Sequence, residues 1–345
     1  MKAVLKEYIH TNLARNPEFL IQTLGLIEKS FQYPKEHSFE TDFYPLLNPH
    51  NYKNCHILLN ENKEVIAHVG VKLRTLNFKE TNSPVALLGG ICMREDYRGK
   101  GIFKAFFNEC INIYSTKVSF FLLWSDKSEL YGKFSFFQAG GIIQTGDMII
   151  DPEYLPPYLE KAELSPKTMP DIRYCYKSGI EGRFLTLKRE ESDWNDFMNI
   201  KSANLYFIKN SSSVDGYLLC GKGADLKDVI HEVAFAQNEA FHLEKLSEYQ
   251  LWLSESEYKR FKSKKTIYMG LFKVGNHLLF QNFINAYTRG LIKVIKIDQD
   301  NVHFNFENSN ITMDMSEFLQ IIFGPSRATE LSKCEPLYIS GMDSI

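Results

Sequence analysis

The stretch Met93-Arg94-Glu95-Asp96-Tyr97-Arg98-Gly99-Lys100-Gly101-Ile102-Phe103-Lys104 decides the reading of this chain. Before it runs an apolar segment, Val85 to Met93, that predicts a strand; after it, Ile102 to Tyr114 has helical periodicity. A glycine-bearing loop leading from a strand into a helix has a definite chemistry. The first N–H groups of the helix have no intrahelical acceptor, and with the positive end of the helix dipole they form an anion site. Gly99 and Gly101 carry no Cβ to hold a pyrophosphate off that backbone, and Arg98, Lys100 and Lys104 add cationic charge where phosphates would lie. On glycine and charge alone, a basic surface turn capping an ordinary helix explains the loop equally well. Two other phosphate-binding patterns do not fit. The six-position glycine fingerprint of dinucleotide sites is absent, and so is the Gly-Lys-Ser/Thr ending of an NTPase phosphate loop.

Working outward, Pro17 to Phe31 reads as an amphipathic helix, and His56–Leu59 and Val65–Leu73 as strands joined by a polar turn at Asn60–Lys63. The strand Val85–Met93 contains Gly89-Gly90, which inside a strand signals a bulge or a close approach by a ligand. Val118 to Trp124 is almost wholly apolar, as a strand buried on both faces would be, and a short helix is expected around Lys127–Phe134. This order argues for a mixed α/β domain. Asp151 to Pro170 holds five of the twelve prolines and reads as a linker. Beyond it, strands are expected at 183–188, 215–220 and 229–235, with a helix at 191–205 and another at Met315–Phe323 before an apolar tail, Leu337–Ile345.

At 345 residues the chain exceeds what one core comfortably serves, so two domains are expected. The formal net charge of −2, from 40 basic and 42 acidic side chains, gives no electrostatic reason to expect nucleic acid as a partner. Six cysteines stand singly, without metal-ligand or redox spacing, which suggests small core residues in a reducing compartment; a cytoplasmic location and no metal site are expected. His56 and His68 lack partner spacing for a metal, and His231, beside Glu232 in an apolar strand, reads as a core histidine. No apolar run approaches the ~20 residues that span a bilayer, so no membrane partner is expected.

Arg98-Gly99-Lys100-Gly101 after a strand resembles the acetyl-CoA signature of GNAT N-acyltransferases, Arg/Gln-x-x-Gly-x-Gly/Ala. Phe103 stands at the final small position, a departure shared with the "enhanced intracellular survival" branch of that superfamily. A second segment, Trp124-Ser125-Asp126-Lys127-Ser128-Glu129-Leu130-Tyr131-Gly132-Lys133-Phe134, resembles the same branch, with Ser135 in place of its glycine. The resemblance covers the N-terminal 150 residues. It implies an α/β fold with a mixed central sheet flanked by helices, and two tandem GNAT-like domains: 1–150 binding acetyl-CoA, 151–170 a linker, and 171–345 a second GNAT-like domain with a C-terminal tail. No second loop of this kind is present, since Gly221-Lys222-Gly223 lacks the rest of the pattern. The second domain is therefore expected to shape the acceptor cleft without binding cofactor.

The resemblance also implies roles. Backbone groups around Ile91, Cys92 and Met93 would meet the pantetheine arm, and Arg98, Gly99, Lys100, Gly101, Ile102 and Phe103 the pyrophosphate. Tyr131 matches the tyrosine that protonates the leaving thiolate in many GNAT enzymes, and Ser125 would bind cofactor or a bridging water. Acyl transfer to an amine also needs a proton acceptor, because an amine of pKa ~10.4 is neutral at pH 7 only at a penalty near ~4.6 kcal/mol. No glutamate lies in the strand Val85–Met93. In the resembling branch the C-terminal carboxylate enters the active site, so the Ile345 carboxylate or Asp343 is expected as base; the alternative is a tail that merely packs on the second domain. The expected activity is transfer of an acetyl group to a primary amine on a small molecule or peptide, in a chain that can form a homo-oligomer. A non-catalytic acyl-CoA sensor of the same fold is the competing reading. Transfer from aminoacyl-tRNA is disfavoured by the balanced charge.

Overall fold

The computed structural model describes residues 4–79, 81–210, 213–236, 239–257, 260–262, 264–298, 300–307 and 309–345. Its centre is a mixed sheet of nine strands. Among the described residues the strands, in chain order, are β1 (Ile9–Asn12), β2 (Cys55–Leu59), β3 (Val65–Phe78), β4 (Thr81–Met93), β5 (Phe120–Leu123), β6 (Phe137–Gln144), β7 (Leu159–Ala162), β8 (Thr186–Leu187), β9 (Asn204–Asn210), β10 (Ser213–Cys220), β11 (Ile230–Phe235), β12 (Trp252–Ser254), β13 (Lys265–Val274), β14 (Ile292–Asp298), β15 (Asn301–Phe306) and β16 (Ser309–Asp314). The central sheet runs β1-β2-β3-β4-β5-β13-β6-β12, with β8 beside β3. Among the described residues of this sheet, β4 and β5 are the one strand pair that runs parallel.

The alternation of side chains sorts this sheet into two cores. In β5, Phe120 and Leu122 enter one cluster and Phe121 and Leu123 the other. Val85 and Leu87 of β4 likewise face away from Ala86 and Leu88. The helix Ile102–Tyr114 covers one face with Phe106, Phe107, Cys110 and Ile111. Leu20–Phe31, His277–Tyr287 and Met315–Phe323 pack in the core of the other face.

Two features redraw the boundaries read from sequence. Strand β13 inserts between β5 and β6 and pairs antiparallel with both, so residues 1–150 do not complete the central sheet alone. Within 151–170, residues 159–162 form β7, an edge strand of a second sheet, β11-β10-β9-β7. Prolines on both sides of those four residues hide so short a strand from composition. A third sheet, β14-β15-β16, completes the architecture. The helix expected at 191–205 ends at Phe197, and Asn204 opens β9. Met315–Phe323 and Ile102–Tyr114 form the expected helices. No helix among the described residues is long and apolar enough to cross a membrane.

Candidate active site

Strands β4 and β5 pair from Val85–Phe120 to Leu88–Leu123 and then part. Beyond that point β4 runs on through Gly89, Gly90, Ile91, Cys92 and Met93 without a partner on the β5 side. Gly90 sits at φ +59°, and its carbonyl turns to His68 Nδ1 at 2.7 Å, where the β3–β4 register shifts. The double glycine therefore marks a bulge, as expected.

Gly89 serves the other purpose. A Cβ placed there would lie 2.5 Å from the carboxyl carbon of Ile345 and 2.6 Å from its oxygen. The C-terminus thus rests on β4 where the strands diverge, and Ile345 is buried.

The tail is held there by charges drawn from distant parts of the chain. Asp343 is buried between Arg74 of β3, at 3.0 Å, and Arg189, at 2.7 Å. Arg189 also grips Glu232 of β11 at 3.0 Å, and Arg74 lies 3.6 Å from Asp193. Burial alone would raise the Asp343 carboxyl, but the two guanidiniums outweigh it and hold it below the usual carboxylate range. Asp343 is therefore a fixed anion with both oxygens engaged, and this corrects its expected role as an alternative base. Lys222 is fully buried, and its ammonium donates to the carbonyls of Gly341 at 3.0 Å and Met342 at 3.2 Å, and to that of Ser344. Burial draws its pKa down to about 7, against the opposing pull of Asp343 and Asp42. Tyr338 adds a hydrogen bond from its hydroxyl to the His231 carbonyl at 2.7 Å. Sequence reading missed Arg74, Arg189 and Lys222, because partners more than a hundred positions apart leave no spacing signal.

Tyr131 lies in the short helix Ser128–Gly132, buried among Phe107, Phe134 and Phe136. Burial raises its pKa, with Cys92 and Asp126 contributing, so the phenol keeps its proton. Its hydroxyl has no hydrogen-bond partner among the described residues. Ser125 is half-buried after β5 and accepts from the Lys127 amide at 3.1 Å, which leaves its own proton free to donate. Ile345 and Tyr131 belong to the cores on opposite faces of the sheet. Ile345 approaches β4 at Gly89, and Tyr131 shares the other core with Met93, the last residue of β4.

The loop follows β4 directly. Gly101, at φ +76°, caps the helix Ile102–Tyr114 with no side-chain hydrogen bond to its first amides. A Cβ at Gly99 or Gly101 would meet nothing within 4 Å, so the backbone there faces open space. Arg98 bonds the Met93 carbonyl through Nε at 3.0 Å while its side chain stays half exposed, and Lys100 and Lys104 are exposed. Phe103, the departure from the small-residue pattern, stacks on Phe107 and edges against Phe134, packing the first turn of the helix onto the Tyr131 cluster. These groups fit an acyl-CoA: open amides with nearby cations for its phosphates, and an unpaired strand edge for its amide-bearing arm.

Residues 15–139 match the family model described as the Acetyltransferase (GNAT) domain. The chain carries a GNAT acetyltransferase domain. That places it among the acyltransferases. Solved structures of similar fold extend over most of the chain. A conserved protein from Enterococcus faecalis V583, described as a probable N-acyltransferase, superposes with a TM-score of 0.59 at 14% identity, covering 91% of this chain and 89% of its own. A GCN5-related N-acetyltransferase from Anabaena variabilis gives 0.57 at 14% identity, covering 89% and 85%. Eis1 from Mycobacterium abscessus gives 0.58 at 13% identity, covering 94% and 92%. At such identities the likeness concerns the fold alone. No curated protein matches the sequence.

Proposed function

We propose that the chain is an acetyl-CoA-dependent N-acetyltransferase that moves an acetyl group to a primary amine by direct attack on the thioester. The observation that carries this reading is the C-terminal carboxyl lying on Gly89, where β4 and β5 part. Groups on opposite faces of a sheet can act on one molecule only through an opening, and this opening lies between Ile345 and Tyr131.

Acetyl-CoA supplies the activated acyl group; the chain's own residues bind, orient and move protons. The Arg98–Phe103 backbone and its cations take the pyrophosphate, and Ile91, Cys92 and Met93 align the arm along β4. The Ile345 carboxylate takes the proton that the amine must lose, directly or through water, and Ser125 donates a hydrogen bond to cofactor or water at the end of β5. Tyr131 returns a proton to the departing sulfur. In water a phenol is a weak donor to a thiolate of pKa ~8.5. Burial raises the Tyr131 phenol, and a thiolate leaving in the same apolar surroundings is raised by the same desolvation, so it is a stronger base there than in solution. The region 171–345 closes the sheet through β13, positions the tail, and shapes the acceptor cleft, within a cytoplasmic chain acting on a small-molecule or peptide amine.

Calorimetric titration of acetyl-CoA into the wild type and an Arg98→Ala, Gly101→Glu double variant tests the cofactor site, and a panel of polyamines, aminoglycosides and lysine peptides tests turnover. Binding that vanishes in the variant, with acetylation of a panel member, supports the proposal. Absence of binding by folded wild type overturns it, and binding without turnover of any amine leaves an acyl-CoA sensor.

A further inference from the structure

At the edge of the central sheet, away from the diverging strands, three ligand-type side chains converge that no feature of the acyl-transfer site uses. His10 of β1, His56 of β2 and Cys110 of the helix Ile102–Tyr114 place a ring nitrogen, a ring nitrogen and a thiol within 4.8 Å of one another. His10 Nε2 lies 3.2 Å from His56 Nδ1 and 3.9 Å from Cys110 Sγ. Around a tetrahedral zinc ion, with Zn–N near ~2.05 Å and Zn–S near ~2.3 Å, adjacent nitrogens stand about 3.4 Å apart and a nitrogen and sulfur about 3.6 Å.

The hydrogen bonds around the cluster show which nitrogens carry protons. Asn51 donates its amide to the Leu46 and Val71 carbonyls at 2.7 and 3.0 Å, so its oxygen is the acceptor for Asn54 Nδ2 at 2.8 Å. The Asn54 oxygen is then left to accept from the Tyr114 hydroxyl at 3.0 Å. Having spent its proton there, Tyr114 can only accept from His56 Nε2, 2.8 Å away. Buried, neutral His56 therefore carries its proton on Nε2 and presents a bare lone pair at Nδ1. On the other side, Glu109 Oε2 sits 3.1 Å from His10 Nδ1 and as a carboxylate can only accept. A neutral His10 then presents a bare lone pair at Nε2. Two lone pairs face each other at hydrogen-bond distance with a thiol alongside, an arrangement that a cation between them, a proton or a metal ion, would satisfy.

We propose that His10 Nε2, His56 Nδ1 and the Cys110 thiolate bind one zinc ion, with water in the fourth position. The donor set of two imidazoles and a thiolate suits a borderline-soft divalent cation, and the outer partners Glu109 and Tyr114 orient the imidazoles in the manner common at zinc sites. The His10 side is partly exposed, with the Glu109 side chain beside it more so, which leaves room for the water. On binding, the Cys110 thiol yields its proton to solvent, together with any proton held between the imidazoles, and no electron is transferred. The ion ties β1 and β2 to the helix that opens with the Gly101 cap, and so fixes the element carrying the proposed pyrophosphate loop. Sequence spacing concealed the site because its ligands come from three elements up to 100 positions apart.

The test uses the tag-free, chelator-treated full chain. Titration with Co²⁺ should give one equivalent of a near-ultraviolet thiolate-to-cobalt charge-transfer band. Zn²⁺ should displace it with a Kd tighter than about 1 µM and raise the melting temperature. Cys110→Ser should abolish the band, and His10→Ala, at a partly exposed position that does not endanger folding, should weaken zinc binding about 100-fold or more. Absence of the band in folded wild type assigns the shared cation as a proton and overturns the proposal, as does binding that survives both substitutions. The metal readout is independent of acetyl-CoA binding and turnover, so its outcome does not hinge on the proposed reaction.

Discussion

Gly89→Ala offers a steric test of the docked C-terminus that leaves the chemistry of every other side chain intact. The backbone at Gly89 is not in the left-handed region, so alanine suffers no conformational strain there, and the only new feature is a methyl group. That methyl would sit 2.5 Å from the Ile345 carboxyl carbon, whereas carbon atoms rest at ~3.5–4.0 Å, so the terminus must retreat by about 1 Å or more. Overpacking of this kind costs ~1–3 kcal/mol of stability, and a 1 Å misplacement of a reacting group costs ~10²-fold in rate. Leu46, 3.2 Å from the same methyl, needs to yield only a few tenths of an ångström. The substitution should therefore be nearly harmless in a chain lacking Ile345. The assay is a double-mutant cycle: urea unfolding and kcat/KM for wild type, Gly89→Ala, the Ile345 deletion and the combination. A coupling of ~1–3 kcal/mol in stability is expected. If Gly89→Ala costs the same with and without Ile345, to within ~0.5 kcal/mol, the tail is not seated on β4 and the assignment of its carboxylate as base is refuted.

Tyr131→Phe should lower kcat by ~10²–10⁴-fold while acetyl-CoA binding persists, and unchanged turnover would remove the phenol from the mechanism. Asp343→Ala strips a shared anion from buried Arg74 and Arg189, and chemical denaturation should show a loss of ~3–5 kcal/mol; a loss below ~1 kcal/mol would mean the cluster does not anchor the tail. Lys222 provides a pH signature. Its folded pKa of about 7 lies below its ordinary 10.5, so between these values the unfolded chain binds a proton that the folded chain lacks, and stability should rise with pH across that window. Lys222→Met should flatten that slope, and an identical slope in the variant would show that the ammonium is not buried as described.

Much of the first sheet was legible because its signals are local. The strand, glycine loop and helix from Val85 to Tyr114 declare themselves through apolar runs, helical periodicity and residues without Cβ atoms, all properties of neighbours in the chain. Gly89-Gly90 signalled a bulge or a close approach by a ligand; the bulge is at Gly90, but what lies against Gly89 is the chain's own Ile345, 256 residues away by the numbering of the two, which no local pattern gives. The local pattern of Trp124–Phe134 likewise pointed to Tyr131, but its environment of three phenylalanine rings is a property of the packed cluster.

The sequence, through its resemblance to the GNAT family, determined the kind of molecule: an α/β acyltransferase domain with a glycine-bearing loop leading from a strand into a helix. Tertiary structure alone decided how that domain is completed. Strand β13 enters between β5 and β6 because a sheet leaves unpaired N–H and C=O groups wherever a strand is missing, and those groups accept any strand that reaches them, whatever its distance in sequence. The same holds for the buried charges. Asp343, Arg189, Arg74 and Glu232 are four ordinary polar residues in the linear chain; excluded from water together, each is required by the others, and their mutual attraction brings Ile345 to the opening in the central sheet.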